Sequence, residues 1–118
     1  MDKLQEIFKE QKQLDAHIIA KRNLEGKYTT EEWIAKKCLA LMDETSELLN
    51  EVNYKWWKNP KTLDKSAIGE ELVDILHFWV SMCIDAGLTA DDVYNIYMHK
   101  NTENHNRQDG KSNKEGYA

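Results

Sequence analysis

A chain of 118 residues fits one domain, and 41% hydrophobic with 31% charged residues suits a globular fold, not a disordered one. A formal net charge of −5 offers no basic surface for nucleic acid, and no apolar run approaches the roughly 20 residues that span a bilayer. The N-terminus, MDKLQEIFKEQ, is too charged for a secretory signal, so neither nucleic acid nor membrane is expected as a partner, and a cytoplasmic location is expected.

A first helix is predicted from about Asp2 to Leu24, where Leu4, Ile7, Phe8, Leu14 and Ile18 recur mostly at helical steps and Gly26 follows as terminator. A second begins at Thr29 or Thr30. With Thr29 as N-cap, Glu32 is the acid of a capping box. Its apolar stripe is Ile34, Cys38, Leu41, Leu48 and Val52. The pattern fades near Trp56-Trp57, and Asn59-Pro60 reads as a turn.

A third helix starts near Asp64 or Ser66 and carries Ile68, Leu72, Ile75, Leu76, Trp79 and Cys83 as far as Gly87. A fourth opens with Thr89 as N-cap and Asp92 at the third position, followed by Val93, Ile96 and Tyr97. Cys38 and Cys83 both lie in apolar helical patterns and read as small buried hydrophobes, not as a disulfide framework. Strand signals are nearly absent. The expectation is an all-α bundle of four to five helices over residues 1–105, with a polar, mobile tail over 106–118.

Chemistry concentrates in two carboxylate pairs, Glu44 with Glu47 and Glu71 with Asp74. Residues three apart are neighbours on a helix surface. At about 100° per residue, each pair flanks the apolar stripe of its helix. If the two helices pack antiparallel, all four acids converge at one rim of the core. Clustered carboxylates repel, and Mg²⁺, a hard cation that joins carboxylates to phosphates, relieves that repulsion. Spacing alone leaves a plain solvated acidic face as the alternative.

Lys100, Asn104 and Arg107 step by four and three residues and share one face if the fourth helix persists. Two cations with an amide between them suit polyphosphate oxygens. They equally complement a helix C-terminus. Gln11 and Asp15, four apart, could read a base edge or be ordinary surface groups. Trp56-Trp57 between lysines could stack on a base or anchor a core or interface. Phe78, one turn after Asp74, lies on the carboxylate side, with His77 beside it.

Five pieces, in their order and spacing, resemble the dimeric all-α dUTPases of the MazG-type nucleotide pyrophosphohydrolase superfamily. They are Q-K-Q-L-D at 11–15, E-T-S-E at 44–47, K-W-W-K at 55–58, E-L-V-D-I-L-H-F at 71–78 and K-N-T-E-N-H-N-R-Q at 100–108. The resemblance implies Mg²⁺-dependent hydrolysis of dUTP to dUMP and pyrophosphate by activated water. Glu44, Glu47, Glu71 and Asp74 would hold the metal, more than one ion per site. Glu44 or Glu47 would serve as catalytic base, with Glu44 preferred.

The same resemblance gives the phosphates to Lys100, Asn104 and Arg107. It gives the base and sugar to Gln11, Asp15, Trp56, His77 and Phe78, with Asn101 assisting. Asp15 departs from the asparagine of longer relatives, their large inserted region is absent, and Tyr117 has only a loose counterpart. Four tryptophans, Trp33, Trp56, Trp57 and Trp79, exceed what one short bundle readily buries, so a homodimer is expected. Two other readings remain open here. One is a pyrophosphohydrolase acting on dCTP or a wider range of nucleotides. The other is a non-enzymatic helical interaction module using Trp56-Trp57.

Overall fold

The computed structural model describes residues 1–112; residues 113–118, which include Tyr117 and part of the expected tail, lie outside the described residues. Four helices follow in order: α1 Lys3–Lys21, α2 Thr30–Asn50, α3 Lys65–Asp85 and α4 Ala90–Gln108. Among the described residues there is no strand, as the all-α expectation requires.

Each helix start has a local chemical cause. Asp2, Thr29 and Thr89 form capping boxes with Gln5, Glu32 and Asp92, and Asp64 caps α3 by accepting from the Ser66 and Ala67 amides. Such caps satisfy amides that have no partner inside the helix. In α4 the Thr89 backbone amide and hydroxyl hold the Asp92 carboxyl below its ordinary value.

The ends are equally local. Leu24 N–H bonds Ile19 C=O and Asn23 N–H bonds Ala20 C=O, with Asn23 at φ 55°. This is the paired closure that puts a left-handed residue just past a helix. Asn23, not Gly26, therefore closes α1, whose last helical residue, Lys21, stands three before the predicted boundary at Leu24. Gly87, at φ 80°, closes α3 in the same way, with Leu88 N–H on Cys83 C=O.

The small core joins Phe8 of α1, Val80 and Cys83 of α3, and Ala90 of α4, with Leu4, Leu76, Ile84, Leu88 and Val93 packed around it. Helix α2 contributes no buried residue and lies along α3. Cys38, expected inside, is exposed; only Cys83 is buried, and burial pushes its thiol upward. The reason is register: the half-buried face of α2 runs through Ile34, Lys37, Leu41, Glu44 and Leu48, and Cys38 falls beside it.

After Gly87 the chain turns by 105°, so α4 leaves α3 nearly at right angles instead of folding back along it. α4 meets α1 near its start, where Gln5 Nε2 donates to Asp91 at 3.2 Å. It stays helical to Gln108, beyond the fading apolar pattern near His105. The radius of gyration is 18.1 Å, against roughly 13–14 Å for a compact domain of this length. No single helix is long and apolar enough to cross a membrane.

Candidate active site

Helices α2 and α3 run antiparallel, because Lys37 meets Asp85 at 2.6 Å while the glutamates near residue 44 meet those near residue 71. Their seam follows a seven-residue repeat. The half-buried positions at that spacing are Ile34, Lys37, Leu41, Glu44 and Leu48 on α2, and Ile68, Glu71, Ile75, Phe78, Met82 and Asp85 on α3. Charged residues thus interrupt the apolar positions where a fully apolar seam would be more stable. Glu44 and Glu71 are held inside the contact, closer to it than the sequence angles place them.

One oxygen from each of Glu44, Glu47 and Glu71 lies within 4.8 Å of the others. Glu44 and Glu71 are half-buried and Glu47 is exposed. Asp74 stands outside that group of three, yet its charge acts on both Glu44 and Glu71. Loss of water and then the neighbouring carboxylates raise the Glu44 and Glu71 carboxyls above 4.5, with Glu47 the largest charge on each. Glu44 Oε2 and Glu71 Oε2 are buried with no hydrogen-bond partner. Orphaned buried carboxylate oxygens are costly. Hard anionic oxygens converging in this way fit Mg²⁺.

Beside the acids, a second cluster joins α1 to α3. Gln11 Nε2 donates to Asp15 Oδ1 at 2.9 Å, and Ser81 Oγ donates to Asp15 Oδ2 at 2.8 Å. A carboxylate can only accept, so it fixes the direction of the Gln11 amide. Gln11 Oε1 then accepts from His77 Nδ1 at 2.6 Å, which leaves His77 Nε2 facing outward as an acceptor when the ring is neutral. Gln11, Asp15, His77, Phe78 and Ser81 line one groove of about 320 Å³, with Trp33 on its wall.

The base-site residues expected from sequence are thus mostly brought together. Trp56 is not: it sits in the turn after α2, 86% exposed, edge-on to Trp57 at 4.6 Å, and does not line the groove. The tryptophan on the groove is Trp33, and Ser81 and Lys37 also line it. A signal for Trp33 was available. It precedes Glu44 by eleven residues, about three helical turns, so the two share a face. Nothing local marked Ser81.

The cationic set on α4 stands elsewhere. Lys100 and Asn104 are exposed, Asn101 is half-buried, and Arg107 lies 3.6 Å from Glu103 and 3.4 Å from Asn104. All four lie on α4, which leaves α3 at 105° after Gly87.

Comparison with known proteins adds the decisive observation: a family profile described as dUTPase matches residues 3–89. The chain belongs to the dUTPase family. The dUTPase match spans α1, α2 and α3, and so includes the three glutamates, Asp74 and the groove. It stops before α4, leaving Lys100, Asn101, Asn104 and Arg107 outside. Two relatives are similar over a shorter stretch. The dCTP pyrophosphatase of Enterobacteria phage T4 is 41% identical over 46 residues, and that of Enterobacteria phage LZ5 is 39% identical over 46 residues. Each stretch is 39% of this chain and 27% of the relative, so this dUTPase-family chain matches only about a quarter of their length. No solved structure gives a significant match.

Proposed function

We propose that the protein is a nucleoside triphosphate pyrophosphohydrolase that converts dUTP to dUMP and pyrophosphate with the help of Mg²⁺. The observation that carries this reading is the convergence of Glu44, Glu47 and Glu71 within 4.8 Å, with two of their oxygens buried and unpartnered. Those glutamates would hold the ion, with Asp74 beside them. Magnesium there would neutralise phosphate charge and make water more acidic.

The chain's own groups do the rest. A glutamate oxygen not engaged in holding the ion, Glu44 by preference, takes the proton from the attacking water. The groove of Gln11, Asp15, His77 and Phe78 holds the base, with Trp33 and Phe78 as aromatic walls. The fixed amide and imidazole present acceptors and donors to the base edge without having to reorient. Membership of the dUTPase family favours uracil. The names of the two phage relatives favour a second reading, in which dCTP is the substrate.

Pyrophosphate release from each deoxynucleoside triphosphate, with Mg²⁺ and with chelator, tests both. dUTP turned over fastest, and only with the ion, is the expected result; preference for dCTP selects the second reading. Glu47→Gln should keep the helical circular-dichroism signal and lose about 100-fold or more of the rate. If the wild type releases no pyrophosphate from any nucleotide, the enzymatic reading is wrong and an interaction module is left.

A further inference from the structure

Two side-chain hydrogen bonds tie α1 to α3, Gln11 with His77 and Asp15 with Ser81, and each joins residues 66 apart. A constant offset means that the two helices run parallel here, each rung one helical turn, about 6 Å, beyond the last. The next rung in the series sets Ile19 opposite Asp85. Ile19 has no polar side-chain group to offer, and Asp85 takes its partner from α2 instead. Lys37 Nζ stands 2.6 Å from Asp85 Oδ2 and 5.0 Å from the centre of the Trp33 ring.

The Lys37 and Asp85 side chains are largely inside, where a matched pair of apolar residues would hold the seam at least as well. Lys37 also lines the groove that contains Gln11, Asp15, His77 and Trp33, and Asp85 does not. An ammonium carries three protons, and Asp85 accepts one.

We propose that Lys37 selects the base, by donating to the 4-oxygen of a uracil ring seated in this groove, and that Asp85 positions the ammonium. This rests on the reading that the groove holds the base of a nucleotide whose phosphates lie at the glutamates.

The polar groups follow an order along the groove. Asp15 takes one proton of the Gln11 amide and leaves the other to donate. Asp15 itself can only accept, and Lys37 can only donate. From the acid end outward the groove therefore presents donor, acceptor, donor. The edge of uracil is the complement: oxygen, N–H, oxygen. Cytosine offers oxygen, bare nitrogen and amine. Its ring nitrogen would face the Asp15 carboxylate and its amine the Lys37 ammonium, two mismatches that leave polar groups unpaired.

The register fits the same placement. Ser81 stands seven residues past Asp74 on α3, roughly 10 Å along the helix. That is comparable to the length of a nucleoside monophosphate. Phosphates at the acids thus put the base beside Asp15 and Ser81, with the Lys37–Asp85 pair one turn beyond.

Titration calorimetry with dUMP and dCMP, in Mg²⁺, tests the assignment without turnover. The wild type should bind dUMP more tightly. Lys37→Met should weaken dUMP about tenfold, the loss of one charge-assisted hydrogen bond, and leave dCMP within about twofold. Lys37→Arg keeps the charge and the donors and should recover most of the dUMP affinity. The chains are compared at a temperature where circular dichroism shows each to be folded. A Lys37→Met chain that weakens both nucleotides alike, or neither, overturns the proposal. So does a wild type that prefers dCMP or binds neither monophosphate.

One further measurement needs no variant. dUMP with sulfur in place of the 4-oxygen keeps the ring N–H but loses a strong acceptor, and the wild type should bind it more weakly than dUMP. Equal binding overturns the role of Lys37. Turnover is read separately. A chain that shows the expected binding pattern but releases no pyrophosphate keeps the selector and loses the enzymatic reading. A chain that hydrolyses dUTP while Lys37→Met binds both monophosphates as the wild type does loses the selector alone.

Discussion

Asp15 carries more of the structure than a half-buried surface acid should. Its two oxygens accept from Gln11 at 2.9 Å and Ser81 at 2.8 Å, and both donors are inside, with Gln11 7% and Ser81 2% exposed. Asp15→Ala leaves those donors unpartnered where water does not easily reach. At about 1.5 kcal/mol for each bond to a charged acceptor, the loss is about 3 kcal/mol. For a chain of this length, 1 kcal/mol is worth roughly 4 °C, so the thermal midpoint should fall by roughly 12 °C.

Asp15→Asn keeps one acceptor and the shape but not the charge, and should lose about half as much. Thermal melts followed by circular dichroism measure both. A second readout separates stability from function. At a temperature where both variants are folded, KM for the nucleotide should rise while Mg²⁺ binding at the glutamates stays as in the wild type, because Asp15 orients Gln11 and His77 and not the acids. An Asp15→Ala midpoint within roughly 2 °C of wild type would refute the network, since the energy could then not reside in these bonds.

Two further outcomes follow from the α2–α3 seam. Burial and like charge make the folded chain hold protons at Glu44 and Glu71 more tightly than the unfolded chain does, whose glutamates titrate near 4.5. These groups therefore favour the fold below that value, and the contribution is lost as pH rises through their raised values. In chelator the melting midpoint should fall over that range. Mg²⁺ should restore it most at neutral pH, and Glu44→Gln with Glu71→Gln should flatten the dependence. Lys37→Met removes the ammonium from over Trp33 and breaks a 2.6 Å ion pair whose side chains are only 14% and 18% exposed. It should cost about 2 kcal/mol in denaturant unfolding, and an unchanged midpoint would show the pair to be energetically silent.

Local chemistry was legible along the chain. Thr29 with Glu32, Thr89 with Asp92 and the cap at Asp64 act over three residues, so a linear reading finds them, and the helix starts fall where those residues stand. The E-x-x-E spacing likewise predicts neighbours on one helix surface, and antiparallel packing of two such helices does bring three glutamates together. The end of α1 differs from the sequence expectation because glycine is the commoner left-handed residue, and only backbone bonding shows Asn23 taking that role.

What tertiary structure alone decided is the side each residue faces and how far apart the helices carry it. Cys38 and Trp56 are residue types that commonly pack inside, but the register of α2 leaves Cys38 outside, and the turn after α2 leaves Trp56 in solvent. Ser81 joins Asp15 across 66 positions of sequence, a pairing with no local signature. The 105° corner at Gly87 sets the direction of the helix that carries Lys100, which no local pattern announces. Capping and periodicity are short-range and are written residue by residue, whereas the direction in which a helix leaves a turn is set by what it packs against.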